Sequence, residues 1–129
     1  MEIGIEQFIQ AGAAVLDVAP EQLVPAVKVS LAESALAAPF ASFGGQEFYA
    51  DPITRAAVLA SRIMRNHPLP DGNKRVALVL MDIYLQSQGF ELGAEAETID
   101  EVFRAVAARS LGEDEFAGWL REHVARTDT

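Results

Sequence analysis

Apolar residues recur at helical spacing through most of this chain, and prolines divide them into segments. Pro20 ends the first of these segments, and two further helical stretches are expected over roughly 21–38 with a break at Pro25. Pro39 then ends that run. The first predicted helix is marked by Ile5, Phe8, Ile9, Val15 and Leu16.

The two clearest helices are predicted at 52–66 and 72–88. Asp51 and Pro52 suit the N-cap and the first turn of the earlier one. The later one is apolar nearly all round, which is typical of a helix buried at the centre of a domain, and Gly89 is placed to cap its end. The apolar stripe of the earlier helix consists of Ile53, Ala56, Ala57, Ala60, Ile63 and Met64.

After a short extended piece at 90–92, further helices are predicted at 98–109 and 113–124. The order of elements therefore predicts an all-α fold, a compact bundle of about six helices around the buried central helix. We expect the whole chain, 1–129, to form one domain, because 129 residues suit a single hydrophobic core.

Residues 39–52 break the helical pattern. They contain the pair Gly44-Gly45, have prolines at both ends and are rich in aromatic residues. A loop of this length is often functional, but an aromatic plug folded onto the core explains the composition equally well. The aromatic residues are Phe40, Phe43, Phe48 and Tyr49.

The chain carries a net charge of −9 and no cysteine. The acidic balance disfavours general nucleic-acid binding, and the missing cysteines exclude disulfides and cysteine-based zinc sites. No apolar stretch is long enough to span a membrane, and the first ten residues lack the features of a signal peptide. We therefore expect a cytoplasmic protein.

The segment between the two clearest helices, HPLPDGNKR at 67–75, concentrates chemically useful groups. His67 could act as a general base, because histidine titrates near neutral pH. Asp71 could hold a divalent cation that bridges phosphates. Pro68 and Pro70 stiffen the connection between the helices.

The end of the same segment suits an anion. Gly72 allows close approach of a ligand to the backbone. The free amides of Asn73, Lys74 and Arg75 lie at a helix N-terminus, and two of these side chains add positive charge. The segment therefore has the groups that phosphate transfer requires.

Each of these residues also has an ordinary structural explanation. Asp71 or Asn73 could cap the helix, and His67 could be a partly buried side chain. Arg65, close by, could face the site, but a simple surface arginine is the favoured interpretation. The structural explanations do not account for a base, a carboxylate, a glycine, an amide and two cations within nine residues, so the combination favours a functional site.

HPLPDGNKR resembles the signature HxFx(D/E)GN of the Fic superfamily, and its NKR ending is similar to the Doc (death-on-curing) branch. The likeness extends to ESALAAP at 33–39, FGGQEFY at 43–49, RNHPLPDGNKRVAL at 65–78 and LQSQGFEL at 85–92. The resemblance implies the Fic/Doc fold, with the active-site loop at the N-terminus of the central helix.

Three positions of the motif refine the comparison. Leu69 replaces the usual phenylalanine and should pack less fully in the core. Lys74 stands where nucleotidyl-transferring Fic enzymes usually carry glycine, and Leu78 where they carry a second arginine. This pattern resembles the Doc-type kinases, which implies transfer of the γ-phosphate of ATP to a protein. AMP transfer, as in most Fic proteins, and a catalytically inactive binding protein remain alternatives.

By resemblance, His67 takes the proton of the target hydroxyl, Asp71 holds Mg²⁺, and residues 72–75 bind the phosphates of ATP. The flap that docks the target protein would contain Phe43, Gly44, Gly45 and Tyr49. The site residues that the resemblance assigns to the phosphates are Gly72, Asn73, Lys74 and Arg75.

The chain lacks the (S/T)xxxE(G/N) motif with which many Fic proteins inhibit themselves. The resemblance therefore implies a toxin that is restrained by a separate, Phd-type antitoxin. It further implies that the target is a threonine of elongation factor Tu, so that modification arrests translation. No direct contact with nucleic acid or a membrane is expected.

Overall fold

Helices make up most of the residues that the computed structural model describes, which are residues 2–127. This confirms the all-α prediction. Short 3₁₀ turns at Val24–Ala26 and Ala38–Phe40 follow the second and third helices, in agreement with the predicted breaks at the prolines. The α-helices are α1 Ile5–Leu16, α2 Pro20–Leu23, α3 Val29–Ala37, α4 Pro52–Asn66, α5 Asn73–Ser87, α6 Ala96–Ala107 and α7 Glu113–His123.

Four very short strands form two antiparallel pairs. β1 (Ser42–Phe43) pairs with β2 (Gln46–Glu47) inside the segment that was predicted as an aromatic loop. β3 (Phe90–Leu92) is the predicted extended piece, and it pairs with β4 (Val124–Arg126). The prediction of helix up to residue 124 was wrong by one residue, because Val124 has an extended backbone and begins β4.

α4 and α5 pack against each other along their length and share the centre of the molecule. α4 also contacts α3, α6 and α7, while α5 also contacts α1, α6 and β3. Alanines on α4 let neighbouring helices approach closely, and α5 buries most of its apolar side chains, as the sequence predicted. Val79 and Ile83 are exceptions, since both are exposed on α5.

The ends of α4 and α5 place the chemically interesting segment. Asp51 caps α4 as predicted, accepting a hydrogen bond from the backbone N–H of Ile53 at 3.1 Å. α5 begins at Asn73, one residue later than expected, with Gly72 as its N-cap. Its C-cap is Gln88, and Gly89 follows it with a φ of 84°.

The bounds of α6 differ from the prediction by two residues at each end. It begins at Ala96 and ends at Ala107, because Arg109 adopts a left-handed conformation with a φ of 63°. Among residues 2–127, no single helix is both long and apolar enough to span a membrane. The segments Pro20–Ala26 and Val29–Phe40 reach that length only together, and they meet at a bend of 96°.

Candidate active site between α4 and α5

The loop from His67 to Gly72 turns sharply between the two central helices. His67 ends α4 in a left-handed conformation, with a φ of 53°, and its N–H donates to the carbonyl of Ile63 at 3.1 Å. Gly72 has a φ of 79°, and a Cβ there would lie 3.1–3.2 Å from the side chains of Leu16 and Val15. Only glycine satisfies both the turn and the close approach of α1.

Asn73 fixes the middle of the loop with its side chain. Its Oδ1 accepts a hydrogen bond from the N–H of Leu69 at 2.9 Å, and its Nδ2 donates to the carbonyl of Leu69 at 2.9 Å. The carbonyl of Pro68 accepts a further bond from the N–H of Lys28 at 2.9 Å. Asn73 is buried and makes no capping bond, so the interpretation of this residue as a simple cap is wrong.

Leu69 anchors the loop in the core. Only 1% of Leu69 is exposed, so the leucine that replaces the usual phenylalanine is buried. Its side chain lies beside Gly12 of α1, where a Cβ would be 3.5 Å from Leu69 Cδ1. The loop is therefore supported by α1 and by the two hydrogen bonds between the Asn73 side chain and the backbone of Leu69, which we call the Asn73 clasp.

A pocket of about 280 Å³ opens above the loop and the first turn of α5. Met64, Pro70 and Ala107 complete its wall. The backbone N–H groups of Asn73, Lys74 and Arg75 form no hydrogen bond within residues 2–127, as expected of a helix N-terminus. The pocket is lined by all six residues of this segment that were predicted as site residues, namely His67, Asp71, Gly72, Asn73, Lys74 and Arg75.

Asp71 is exposed at the edge of this pocket, and it does not cap α5. Its Oδ1 accepts a hydrogen bond from the N–H of Gly72 at 2.8 Å, while Oδ2 has no hydrogen bond to any residue that the structure describes. Residues 2–127 contain no group of three or more histidine and carboxylate side chains that could hold a metal ion. One free carboxylate oxygen suits Mg²⁺ that takes its other ligands from phosphates and water.

Lys74 and Arg75 differ in their surroundings. The ammonium of Lys74 lies 2.5 Å from Oδ1 of Asp100 on α6, and Arg104 lies 2.8 Å from Oδ2 of the same carboxylate. The hydrogen bond from Lys74 and the charge of Arg104 hold the pKa of Asp100 below its usual range. Arg75 is exposed and forms no ion pair with any described residue, so its guanidinium can meet an anion directly.

Sequence reasoning missed Asp100, because it lies 26 residues from Lys74 on a helix that was predicted only as packing. Its spacing from Arg104, four residues along one helix, was the available signal. That spacing indicates an ion pair within α6 and does not reveal the third partner on α5.

The segment with β1 and β2 forms a small hairpin whose tip is Gly44-Gly45, with φ angles of 59° and 80°. Phe43 and Phe48 are 79% and 61% exposed, so the aromatic-plug interpretation is wrong for these two rings. Phe40 packs inward, edge-on to the ring of Tyr84 at 5.8 Å, and Tyr49 is half-buried. None of the proposed flap residues lines the pocket at the loop.

Two arginines of α4 hold the base of the hairpin. Arg55 donates to the carbonyl of Tyr49 at 2.7 Å and pairs with Glu47 at 2.6 Å. Arg62 reaches the hydroxyl of Tyr49 at 3.5 Å. Because His67 is the C-cap of α4, one helix positions both the hairpin and the histidine.

The side chain of Arg65 is only 16% exposed and does not line the loop pocket, so the favoured prediction of a simple surface arginine was wrong. It donates to the carbonyls of Val106 and Leu111 at 3.4 and 3.1 Å. Glu113 accepts from Arg62 at 2.7 Å and from Ser61 at 2.8 Å. Burial alone would raise the pKa of the Glu113 carboxyl, but these hydrogen bonds and the arginine charges outweigh it and lower that pKa.

The sequence similarity to known proteins includes the loop and the helices on either side of it. A model of the Fic/DOC family matches residues 5–85, from the start of α1 to near the end of α5, and so includes the whole loop. This chain belongs to the Fic/DOC family. Its sequence is also 32% identical to "Toxin Doc" of Mycolicibacterium smegmatis over 101 residues, which cover 77% of this chain and 78% of that protein. The Fic/DOC match thus includes the HPLPDGNKR segment together with α4 and most of α5.

Proposed function

We propose that this chain is a Doc-type toxin that transfers the γ-phosphate of ATP to a hydroxyl of a target protein and so arrests translation. The whole chain, 1–129, would act as a single Fic/Doc domain in the cytoplasm. The observation that carries the proposal is the pocket at 67–75, where His67, Asp71 and the unpaired amides of α5 converge.

In the proposed reaction, the target hydroxyl attacks the γ-phosphorus, a new O–P bond forms, and the bond to the β-phosphate oxygen breaks to release ADP. His67 is exposed in the pocket and accepts the proton of the hydroxyl. Asp71 would hold Mg²⁺, which neutralises phosphate charge when bound.

The remaining groups bind and orient the phosphates. The amides of Asn73, Lys74 and Arg75 point out of α5, and Gly72 keeps side-chain atoms away from them. Charge that develops on the transferred phosphoryl group is stabilised by these donors and by the unpaired guanidinium of Arg75. These groups are fixed before substrate binds, because the clasp of Asn73 holds the loop.

Phosphate transfer is preferred over AMP transfer because of two residues on α5. Lys74 replaces the glycine and Leu78 the second arginine of the AMP-transferring pattern. The hydrocarbon side chain of Leu78 is half-buried against the core and has no charge to offer a phosphate. AMP transfer by the same pocket remains the second candidate.

By family resemblance, the target is a threonine of elongation factor Tu, docked by the flap at Phe43, Gly44, Gly45 and Tyr49. The similarity to "Toxin Doc" supports a toxin–antitoxin pair, in which a Phd-type antitoxin would restrain this chain. Such a partner would fold a disordered segment onto the surface near the site.

Expression of the chain in bacterial cells, with and without His67→Ala, tests this function. We expect the parent to halt growth and protein synthesis and the variant to do neither, at equal protein level. Equal toxicity of the two would support the catalytically inactive binding protein and contradict catalysis through His67. Incubation with elongation factor Tu and ATP labelled at the α or γ position then separates AMP transfer from phosphate transfer.

A further inference from the structure

The last turn of α6 forms part of the wall of the loop pocket through Ala107. The helix ends there, because Arg109 adopts the left-handed conformation. The carbonyls of a final helical turn carry partial negative charge, which disfavours an anion beside them. A pocket that takes phosphate groups is therefore helped by a positive charge at this end of α6.

Arg65 supplies that charge from α4, without itself lining the pocket. Its Nε donates to the carbonyl of Val106 at 3.4 Å, and its Nη2 donates to the carbonyl of Leu111 at 3.1 Å. The side chain is mostly buried, so water screens its charge less than that of a surface arginine. Since Arg65 also lies in the last turn of α4, one guanidinium stands at the C-terminal ends of two helices.

Glu113 lies nearby, but it is neutralised mainly by a different arginine. Arg62 donates to its two oxygens at 2.7 and 3.3 Å, whereas Nη1 of Arg65 lies 3.9 Å from Oε2. Two cations and one anion leave this cluster with a positive charge. Arg65 presents that charge to the end of α6.

We propose that Arg65 is a positioning residue for phosphate transfer, an inference that rests on the proposed function. Arg65 fastens the last turn of α6 to the last turn of α4, which has His67 as its C-cap. This connection fixes Ala107 relative to the loop, and the charge of the guanidinium offsets the helix end beside the bound phosphates. In this arrangement Arg65 touches neither ATP nor the target and acts through the wall of the pocket.

Arg65→Gln tests this role, and Arg62→Gln is its matched control. Both substitutions remove one positive charge from the same cluster and leave Glu113 with one arginine fewer. Among residues 2–127, however, Arg62 has no hydrogen bond to α6. Isothermal titration would measure the affinity of each variant for inorganic tripolyphosphate in the presence of Mg²⁺, and thermal unfolding would verify that both variants are folded.

We expect Arg65→Gln to weaken tripolyphosphate binding by about fivefold or more and Arg62→Gln by less than about twofold, while both lower the melting temperature. A purely structural role of Arg65 would weaken binding equally in the two variants or in neither, and either result would overturn the proposal. Arg65→Lys keeps the charge and should bind tripolyphosphate more tightly than Arg65→Gln. Equal weakening by these two substitutions would contradict the role given to the charge.

A measurement on the parent protein does not depend on the folding of any variant. When tripolyphosphate is added, proton–nitrogen NMR should show larger shifts for the Arg65 Nε–H and the Ala107 amide than for the Arg62 Nε–H. Shifts at the amides of residues 73–75 with none at Arg65 would overturn the positioning role and leave the proposed function standing. Absence of tripolyphosphate binding to the folded parent would instead contradict the proposed function and, with it, this inference.

Discussion

The side-chain amide of Asn73 lies 3.2 Å from Nδ1 of His67. Oδ1 of Asn73 already accepts the N–H of Leu69, so the atom that faces the histidine is Nδ2, a donor. Nδ1 of His67 is therefore the acceptor, and the neutral ring carries its hydrogen on Nε2. To accept the proton of a hydroxyl through Nε2, the ring must move that hydrogen to Nδ1 and give up the bond from Asn73.

Asn73→Ala removes both the clasp on Leu69 and the contact with His67. The buried N–H and carbonyl of Leu69 lose their partners, and we expect the free energy of unfolding to fall by about 1–3 kcal/mol. Nitrogen NMR of the imidazole should show the Nε2–H tautomer in the parent and a mixture of tautomers in the variant. The Nδ1–H tautomer in the free parent protein would contradict the orientation of Asn73 given above.

Gly72→Ala places a side chain where both the backbone and the packing oppose it. The φ of 79° costs an L residue about 1–2 kcal/mol, and the new Cβ meets Val15 and Leu16 at 3.1–3.2 Å. We expect lower stability and loss of activity in the same variant. Gly118→Ala is the control, because a Cβ at this helical position meets nothing within 4 Å and should raise the free energy of unfolding by about 0.5–1 kcal/mol. Equal melting temperatures for the two variants would count against the described geometry of the loop.

Arg55→Gln tests whether the hairpin must be held in place for the target to dock. The variant loses the ion pair with Glu47 and weakens the bond to the carbonyl of Tyr49. Because Arg55 does not line the loop pocket, the affinity for ATP should stay unchanged while KM for the protein target rises by about fivefold or more. Lys28→Gln, at an exposed position without an ion pair among residues 2–127, should change neither value. A change in kcat alone would argue against a docking role for the hairpin.

Glu113 should make stability depend on pH. Its folded-state pKa is lowered, so its contribution is fully present above the unfolded value of about 4.3 and is lost as pH falls through the lower folded value. At pH 7 we expect Glu113→Gln to reduce the free energy of unfolding by about 1–3 kcal/mol, since Arg62 and Ser61 lose a charged acceptor. The difference from the parent should shrink below about pH 4. Denaturant titrations across this range measure it, with the exposed Glu122→Gln as a variant that should show little difference.

Local patterns predicted α4 and α5 well, because their signals lie within the helices themselves. Asp51 accepts the N–H of Ile53 as its capping position requires, and Pro52 takes the first helical turn. The shared pocket of His67 and Asp71 could also be expected, since a short proline-containing loop leaves little freedom between two helices.

Long-range contacts escaped prediction. Val124–Arg126 forms a strand because it pairs with Phe90–Leu92. A three-residue segment is too short for its sequence to predict such a distant partner. Asp100 pairs with Lys74 because α6 packs beside α5, and no local sequence pattern predicts that packing. Arg65 was misjudged for the same reason, because its acceptors are carbonyls of distant residues.

Intact-mass measurement of elongation factor Tu, after incubation with this chain, ATP and Mg²⁺, tests the central claim most directly. We predict that the target gains the mass of one phosphoryl group (HPO₃), and that His67→Ala abolishes this gain while the variant remains folded. A gain equal to one adenylyl group, or a phosphoryl gain that persists in His67→Ala, would contradict the proposed phosphate transfer.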